Sequence, residues 1–187
     1  IRVEEQRGEA FVSGVWQARP SLVVEGGLRF EASRLEADDV RQDLAFAKPY
    51  VALAWSPTAL RQIRLRAEHT VGQLDFYDFL ARATLGTGVV TAGARRLTPT
   101  RTTGLEAVIE QRFWGQGALV AKLRHEELAD VIDLAPIGKP PGVFDAPANI
   151  GDATRNSANL DLTVPLDRMA VPGGLLKLGL GMTRSRV

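Results

Sequence analysis

Charged side chains recur at every second position through much of this 187-residue sequence, and that spacing decides what chemistry they can do. Glu25, Arg29 and Glu31 share one parity of an alternating segment, as do Arg64, Arg66 and Glu68, then Glu106, Glu110 and Arg112, then Lys122 and Arg124, and finally Asp161. Residues two apart leave an extended strand on the same side, so these charges collect on one face, with Leu, Val, Ile, Ala and Phe on the other. Opposite charges facing one another on neighbouring strands contribute roughly 0.2–1 kcal/mol per pair. A wet wall of mutually paired charges is the simpler reading of the row. A surface that contacts a packed domain or a solute is the functional one.

Other chemistries are poorly served. His69 and His125 stand on different segments with no serine and carboxylate spaced for a hydrolase triad, and there is no cysteine for a nucleophile, a disulfide or a thiolate metal site. Glu126, Glu127, Asp130 and Asp133 carry oxygens that hard cations accept, although a solvated strand end explains them more simply. Two glycine runs, Leu85 to Gly88 (LGTG) and Gly179 to Met182 (GLGM), are not followed by a helix, so a phosphate cradle lacks its context; small residues in a crowded strand account for them. No cofactor, metal or catalysis is expected. With Lys+Arg 23 against Asp+Glu 22, the net charge of +1 gives no argument for nucleic acid. Phe76, Tyr77 and Phe79 form an aromatic cluster that could meet a ligand at a mouth or pack inside its own loop.

The elements that position these residues read as strands. Ser21 to Glu36 sets Leu22, Val24, Gly26, Leu28, Phe30 and Ala32 against Glu25, Gly27, Arg29, Glu31 and Ser33. Before it, Glu9 to Gln17 is a mostly apolar strand ending at Arg19-Pro20-Ser21; after it comes an acidic loop, ADDVRQD. Alternation returns over Leu44–Trp55, Leu60–Val71, Thr103–Phe113, Leu119–Glu126, Asn156–Leu166 and Leu176–Thr183. Short turns fall at Arg19, Ser56, Trp114 and Asp167. Gly72–Thr98 is a long connection, with a short strand near Gly88–Thr91 and a helical turn near Phe79–Ala83. Ile137–Thr154, rich in proline, is read as a loop without regular structure. About eight strands in four hairpins result.

The hydrophobic fraction is 45% and no apolar run approaches the roughly 18 residues of a membrane-spanning helix. A strand crosses a bilayer in about 9–11 residues, of which half need be apolar. Segments of that length, joined alternately by short turns and longer loops, with Trp16, Trp55, Phe113 and Trp114 beside the short turns, fit a transmembrane β-barrel with an interfacial aromatic girdle. A soluble or surface-exposed β-sandwich, in which the same apolar face rests on a core, is the alternative.

Several stretches resemble the C-terminal half of the barrel of TonB-dependent outer-membrane receptors: LVVEGGLRFEASRLEADD, KPYVALAWSP, LRAEHTVGQLDFYDFLA, LEAVIEQRFWGQGALVAKLRHEELADVID and NIGDATRNSANLDLTVPLDR. The resemblance covers nearly the whole chain and is most specific at the EQRFWGQGAL hairpin. It implies an antiparallel arc within a barrel of about 22 strands around an N-terminal plug, located in the bacterial outer membrane. Residues 1–187 then form a partial barrel domain, and the plug and the TonB box are expected outside this chain. The implied function is uptake of a scarce nutrient, such as a siderophore, metal complex, vitamin or carbohydrate. The implied partners are outer-membrane lipid, the plug, the TonB complex and the transported small molecule. Residues expected to line the lumen or meet substrate are Arg29, Glu31, Arg64, Arg66, Glu68, Glu110, Arg112, Lys122 and Arg124, with Phe76, Tyr77 and Phe79 near the mouth.

Overall fold

The computed structural model describes residues 3–37, 40–74, 82–84, 89–91, 97–139 and 142–187. Eight long strands carry the fold: β1 (Val3–Arg19), β2 (Leu22–Ala37), β3 (Val40–Thr58), β4 (Arg61–Val71), β7 (Arg101–Phe113), β8 (Gly117–Lys139), β9 (Gly142–Pro165) and β10 (Leu175–Arg186). Each pairs antiparallel with the next in chain order. Two three-residue strands, β5 (Arg82–Thr84) and β6 (Val89–Thr91), pair with one another within the connection between β4 and β7. β6 touches the main sheet through a single parallel bridge from Thr91 to Asp145. Among the described residues β1 pairs only with β2 and β10 only with β9, so the sheet is open at both edges. An open arc is what the sequence leads one to expect.

Register turns the alternation into two faces. Val24, Leu53, Leu65, Ala107, Leu123, Ala158 and Met182 stand opposite one another on successive strands from β2 to β10. Among the described residues nothing covers this apolar face: Phe30 is 54% exposed, Leu105 55% and Leu123 60%. A sandwich needs a second sheet about 10 Å away to bury such a face, and the described residues form this one sheet. The sandwich alternative fails on that observation. An apolar surface this extensive on a monomer calls for a partner or a membrane.

The short turns are tight for identifiable reasons. The β7–β8 hairpin turns through three residues, Trp114, Gly115 and Gln116, between the paired Phe113 and Gly117, and both Trp114 and Gly115 have positive φ, 51° and 78°, which lets the chain reverse in so short a span and which glycine adopts without strain. Gly117 is required beside it, because a Cβ there would stand 2.6 Å from the Phe113 ring. The connection after β9 folds through a 3₁₀ turn, Asp167–Met169, and is closed by Asp167 Oδ1 accepting from Gly173 N at 2.8 Å and by Leu166 N donating to Gly174 O at 2.8 Å. Trp16, Trp55 and Phe113 share the apolar parity near these turns, and Trp114 packs edge-on against Phe113 at 5.2 Å.

Three expectations are corrected at the opposite end. Of residues 137–154, read as an irregular loop, 137–139 and 142–154 belong to β8 and β9, whose pairing continues to Lys139↔Gly142. Above Ala129 on β8 and Thr154 on β9 the two strands leave β7 and β10, and among the described residues only the Thr91–Asp145 bridge meets them from outside. At Pro136 and Pro147 neither strand has an outer partner among the described residues, so a proline's missing N–H can face outward at no cost. The described part of the acidic stretch after β2 is also strand: pairing runs out to Ala37↔Val40, and Arg34 Nε binds Asp43 Oδ1 across it at 2.8 Å. Arg82–Thr84, at the edge of the expected helical turn, is extended and paired; the rest of that turn lies outside the described residues. What reads as alternation of short and long loops is therefore largely alternation of short turns and long strands.

A small apolar cluster stands at this end. Leu97 and Leu35 are buried against each other with Leu74 and Ile132 beside them. Gln42 Nε2 donates to Leu97 O at 2.9 Å, fastening the end of the long connection onto β3. Leu35 and Gln42 share the parity of Glu31 and Lys48, so the connection folds in over the charged face.

Candidate functional site: the charged face of the sheet

The side chains opposite the apolar face form one network across β4, β7, β8 and β9. Arg66 Nε binds Glu68 Oε2 at 2.8 Å. Arg124 reaches from β8 to three carboxylates: Glu68 Oε1 at 3.0 Å, Glu106 Oε2 at 3.3 Å and Glu126 Oε1 at 3.0 Å. Lys122 Nζ adds a second cation to Glu106 at 2.7 Å, and Arg155 a second to Glu126. The reach of Arg124 depends on Gly104, which lies between Glu68 and Glu126 in the same cross-strand row. A Cβ at Gly104 would stand 3.2 Å from Arg124 Nη2, so the guanidinium crosses β7 over bare backbone.

Tyr50 carries the network onward to β3 and β2. Its ring lies over Gly27, where a Cβ would come within 2.5 Å of Cε1. Its hydroxyl donates to Glu25 Oε1 at 2.7 Å, and the Arg66 guanidinium sits 4.7 Å from the ring centre. A second knot lies on β1, β2 and β3: Glu31, only 9% exposed, takes Arg7 Nη2 and Lys48 Nζ, each at 2.7 Å.

The residues singled out from sequence separate into groups. Glu31 joins a knot of its own, while Arg66, Glu68, Lys122 and Arg124 meet directly. Arg29 stands apart with Glu9 at 3.3 Å and the Phe11 ring at 5.7 Å. Glu110 and Arg112 pair with each other at 2.7 Å, and Arg64 reaches only Gln62, at 3.2 Å. Phe76, Tyr77 and Phe79 lie outside the described residues. Sequence reasoning missed Arg7, Lys48 and Arg155, and it placed Glu126 in a solvated acidic group. Glu126 is instead 5% exposed and held by two arginines. Its neighbour Glu127 takes the opposite face and Asp130 binds Arg101 at 2.6 Å, so the four acids do not converge. Continuing the two-residue period from Asn159 back through Ser157 to Arg155 is the signal that finds Arg155.

The chemistry of this face is retention of charge in a wet wall. Every carboxylate of the central network has two cations or an arginine shared with its neighbour, an arrangement that stiffens the wall. Towards the short turns the inward charges are freer: Arg64 has no acid, and neither Asp161 nor Lys177 has an ion-pair partner among the described residues.

No protein-family model and no curated protein matches this chain. Solved structures do. The FrpB iron transporter from Neisseria meningitidis superposes with a TM-score of 0.73 at 14% identity, over 97% of this chain and 25% of that one. The copper transporter OprC gives 0.76 at 14% identity, over 98% and 30%. The siderophore receptor PirA from Pseudomonas aeruginosa gives 0.67 at 12%, over 98% and 43%. The chain thus spans a quarter to less than half of the proteins it matches. Its fold is that of a stretch of wall from the barrels of these transporters and receptors, the architecture to which the sequence resemblance pointed.

Proposed function

We propose that this chain forms part of the barrel wall of a TonB-dependent receptor in the outer membrane of a Gram-negative bacterium, and that the complete protein imports a scarce nutrient without catalysis. The observation that carries this reading is the pairing of opposites on one sheet: a bare apolar face suited to lipid, backed by a face whose charges are tied together. A strand edge facing lipid leaves backbone groups unsatisfied at several kcal/mol each, so the two open edges are closed by further strands of the same barrel. The freer inward charges, Arg64, Asp161 and Lys177, face the plug, and the nutrient is a siderophore, metal complex, vitamin or carbohydrate passing inside the ring. The long-strand end lies outside the cell.

The test is made on the full-length protein. It should fractionate with the outer membrane, migrate faster unboiled than boiled in gel electrophoresis, and support uptake that stops when TonB is deleted. Fractionation with soluble protein would end the membrane reading, and TonB-independent uptake would end the receptor reading.

A further inference from the structure

β4 ends at Val71 and β7 begins at Arg101, whereas β3 starts as early as Val40 and β8 runs on to Lys139. Since β4 and β7 lie between β3 and β8 in the sheet, the β2–β3 and β8–β9 hairpins rise above them on either side of a gap two strands wide. Residues 97–100 lie across the foot of that gap. Leu97, 2% exposed, packs on Leu35 of β2 with Ile132 of β8 beside it, and its carbonyl accepts from Gln42 Nε2 of β3 at 2.9 Å. Pro99 is buried as well.

On the β9 side one side chain does the holding. Asn149 Oδ1 accepts from Thr98 N at 2.9 Å and Asn149 Nδ2 donates to Thr98 O at 2.8 Å, so a side-chain amide meets both backbone groups of Thr98 as a neighbouring strand would. Asn149 Nδ2 also donates to Asp130 O at 2.7 Å, and Thr100 Oγ1 donates to the same carbonyl at 3.1 Å. Asp130, at φ 58°, and Gly151, at φ 124°, mark where β8 and β9 depart from regular pairing. A left-handed residue other than glycine persists when its surroundings fix it, and here Arg101 fixes the Asp130 carboxylate at 2.6 Å. The contacts of Asn149 therefore fall on the point about which the upper β8–β9 hairpin would swing.

We propose that residues 97–100 latch the upper β8–β9 hairpin to the β2–β3 hairpin, with Asn149 and Gln42 gripping the segment from opposite sides, so that two hairpins set two strands apart move as one body. Whatever displaces either hairpin then displaces both. The latch is made of this chain's own contacts and does not depend on the importer reading.

Hydrogen exchange of the full-length protein in detergent, followed by mass spectrometry, provides the test. Asn149→Ala, on β9, should quicken exchange at least about twofold around Leu35 and Gln42, across the gap, the lower end of what one lost hydrogen bond is worth. Gln42→Ala should do the same around Ile132 and Ala148. The double variant should exchange no faster at either place than the faster single one, because both substitutions undo one latch. Asp43→Asn, which breaks a pair within β2–β3 outside the latch, should leave β8–β9 unchanged. Quickening confined to the hairpin that carries the substitution, effects of the two substitutions that add, or quickening of β8–β9 by Asp43→Asn would each overturn the proposal. Unboiled gel migration shows that each variant is folded, and Asn149→Asp, of the same size but without the Nδ2 donors, gives the same readout should Asn149→Ala fail to fold. Wild type absent from the outer-membrane fraction would sink the membrane reading and leave the latch standing.

Discussion

Arg124 is the residue on which the charged face turns, since it alone touches Glu68, Glu106 and Glu126. Arg124→Ala leaves three carboxylates together in a partly enclosed wall and should destabilise the folded barrel by about 1.5–3 kcal/mol, the range for hydrogen bonds to charged groups. Arg64→Ala, where no acid is lost, should stay within about 0.5 kcal/mol. Urea unfolding of the full-length protein in lipid vesicles compares them, and equal costs would show that the network contributes nothing. Gly104→Leu probes the same point from below. Its side chain meets Arg124 at the Cβ, and overpacking of this kind costs about 1–3 kcal/mol. At the far tip of the β2–β3 hairpin, beyond the 9–11 residues that cross a bilayer, the Arg34 guanidinium bound to Asp43 holds that carboxyl below the usual carboxylate range. A depressed folded-state value means the pair contributes at neutral pH, and its contribution is lost as pH falls through about 4 and below. Hydrogen exchange near Ala37 and Val40 should then quicken in acid, and Asp43→Asn should show that faster exchange already at neutral pH.

At the scale of strands, the prediction concerns faces. Leu123 lies six residues from the Trp114 turn, near the middle of the apolar band, so Leu123→Arg should cost about 2–4 kcal/mol in lipid vesicles. Lys122→Arg, one residue away and facing inward, should be nearly silent. Comparable losses at both would mean that the faces are assigned wrongly. These faces were legible in the sequence because a period of two survives wherever one side must be apolar: the parities of Leu22 to Ser33, Ile63 to Glu68 and Leu105 to Arg112 are those of the structure. The pattern faded where that demand ends. In the upper halves of β8 and β9 both sides of the ribbon are free to be polar, and Pro136, Pro147 and Gly151 obscured pairing that cross-strand hydrogen bonds supply. Arg155 was missed because the strand was read from Asn156, one residue short of it, although it is paired on both sides, and Lys48 because Pro49 interrupts its segment. The reach of Arg124 across Gly104 is a three-strand relation, and register had to be known before it could be seen.

Over the whole molecule, the two ends of the sheet should prove unequal in access. A cysteine at Val143, near the tip of the β8–β9 hairpin, should be labelled on intact cells by an impermeant maleimide, and one at Gln116 only after the outer membrane is opened. The reverse pattern would invert the orientation. That hairpin carries strands of 23 and 24 residues, about 75 Å at the usual rise, against an apolar band of about 25 Å. Between the two parts lie two irregularities: an extra residue on β8 between Leu128 and Val131, where Asp130 has φ 58°, and a compensating one on β9 between Asn149 and Gly151. Because each cancels the other, Ile132↔Asn149 resumes the register of Leu128↔Ala153. The joint works like a spliced coupling in a mast: the upper section can be bent, shortened or exchanged for one of different sequence, and the lower section keeps its phase, so no residue of the wall has to trade lipid for water.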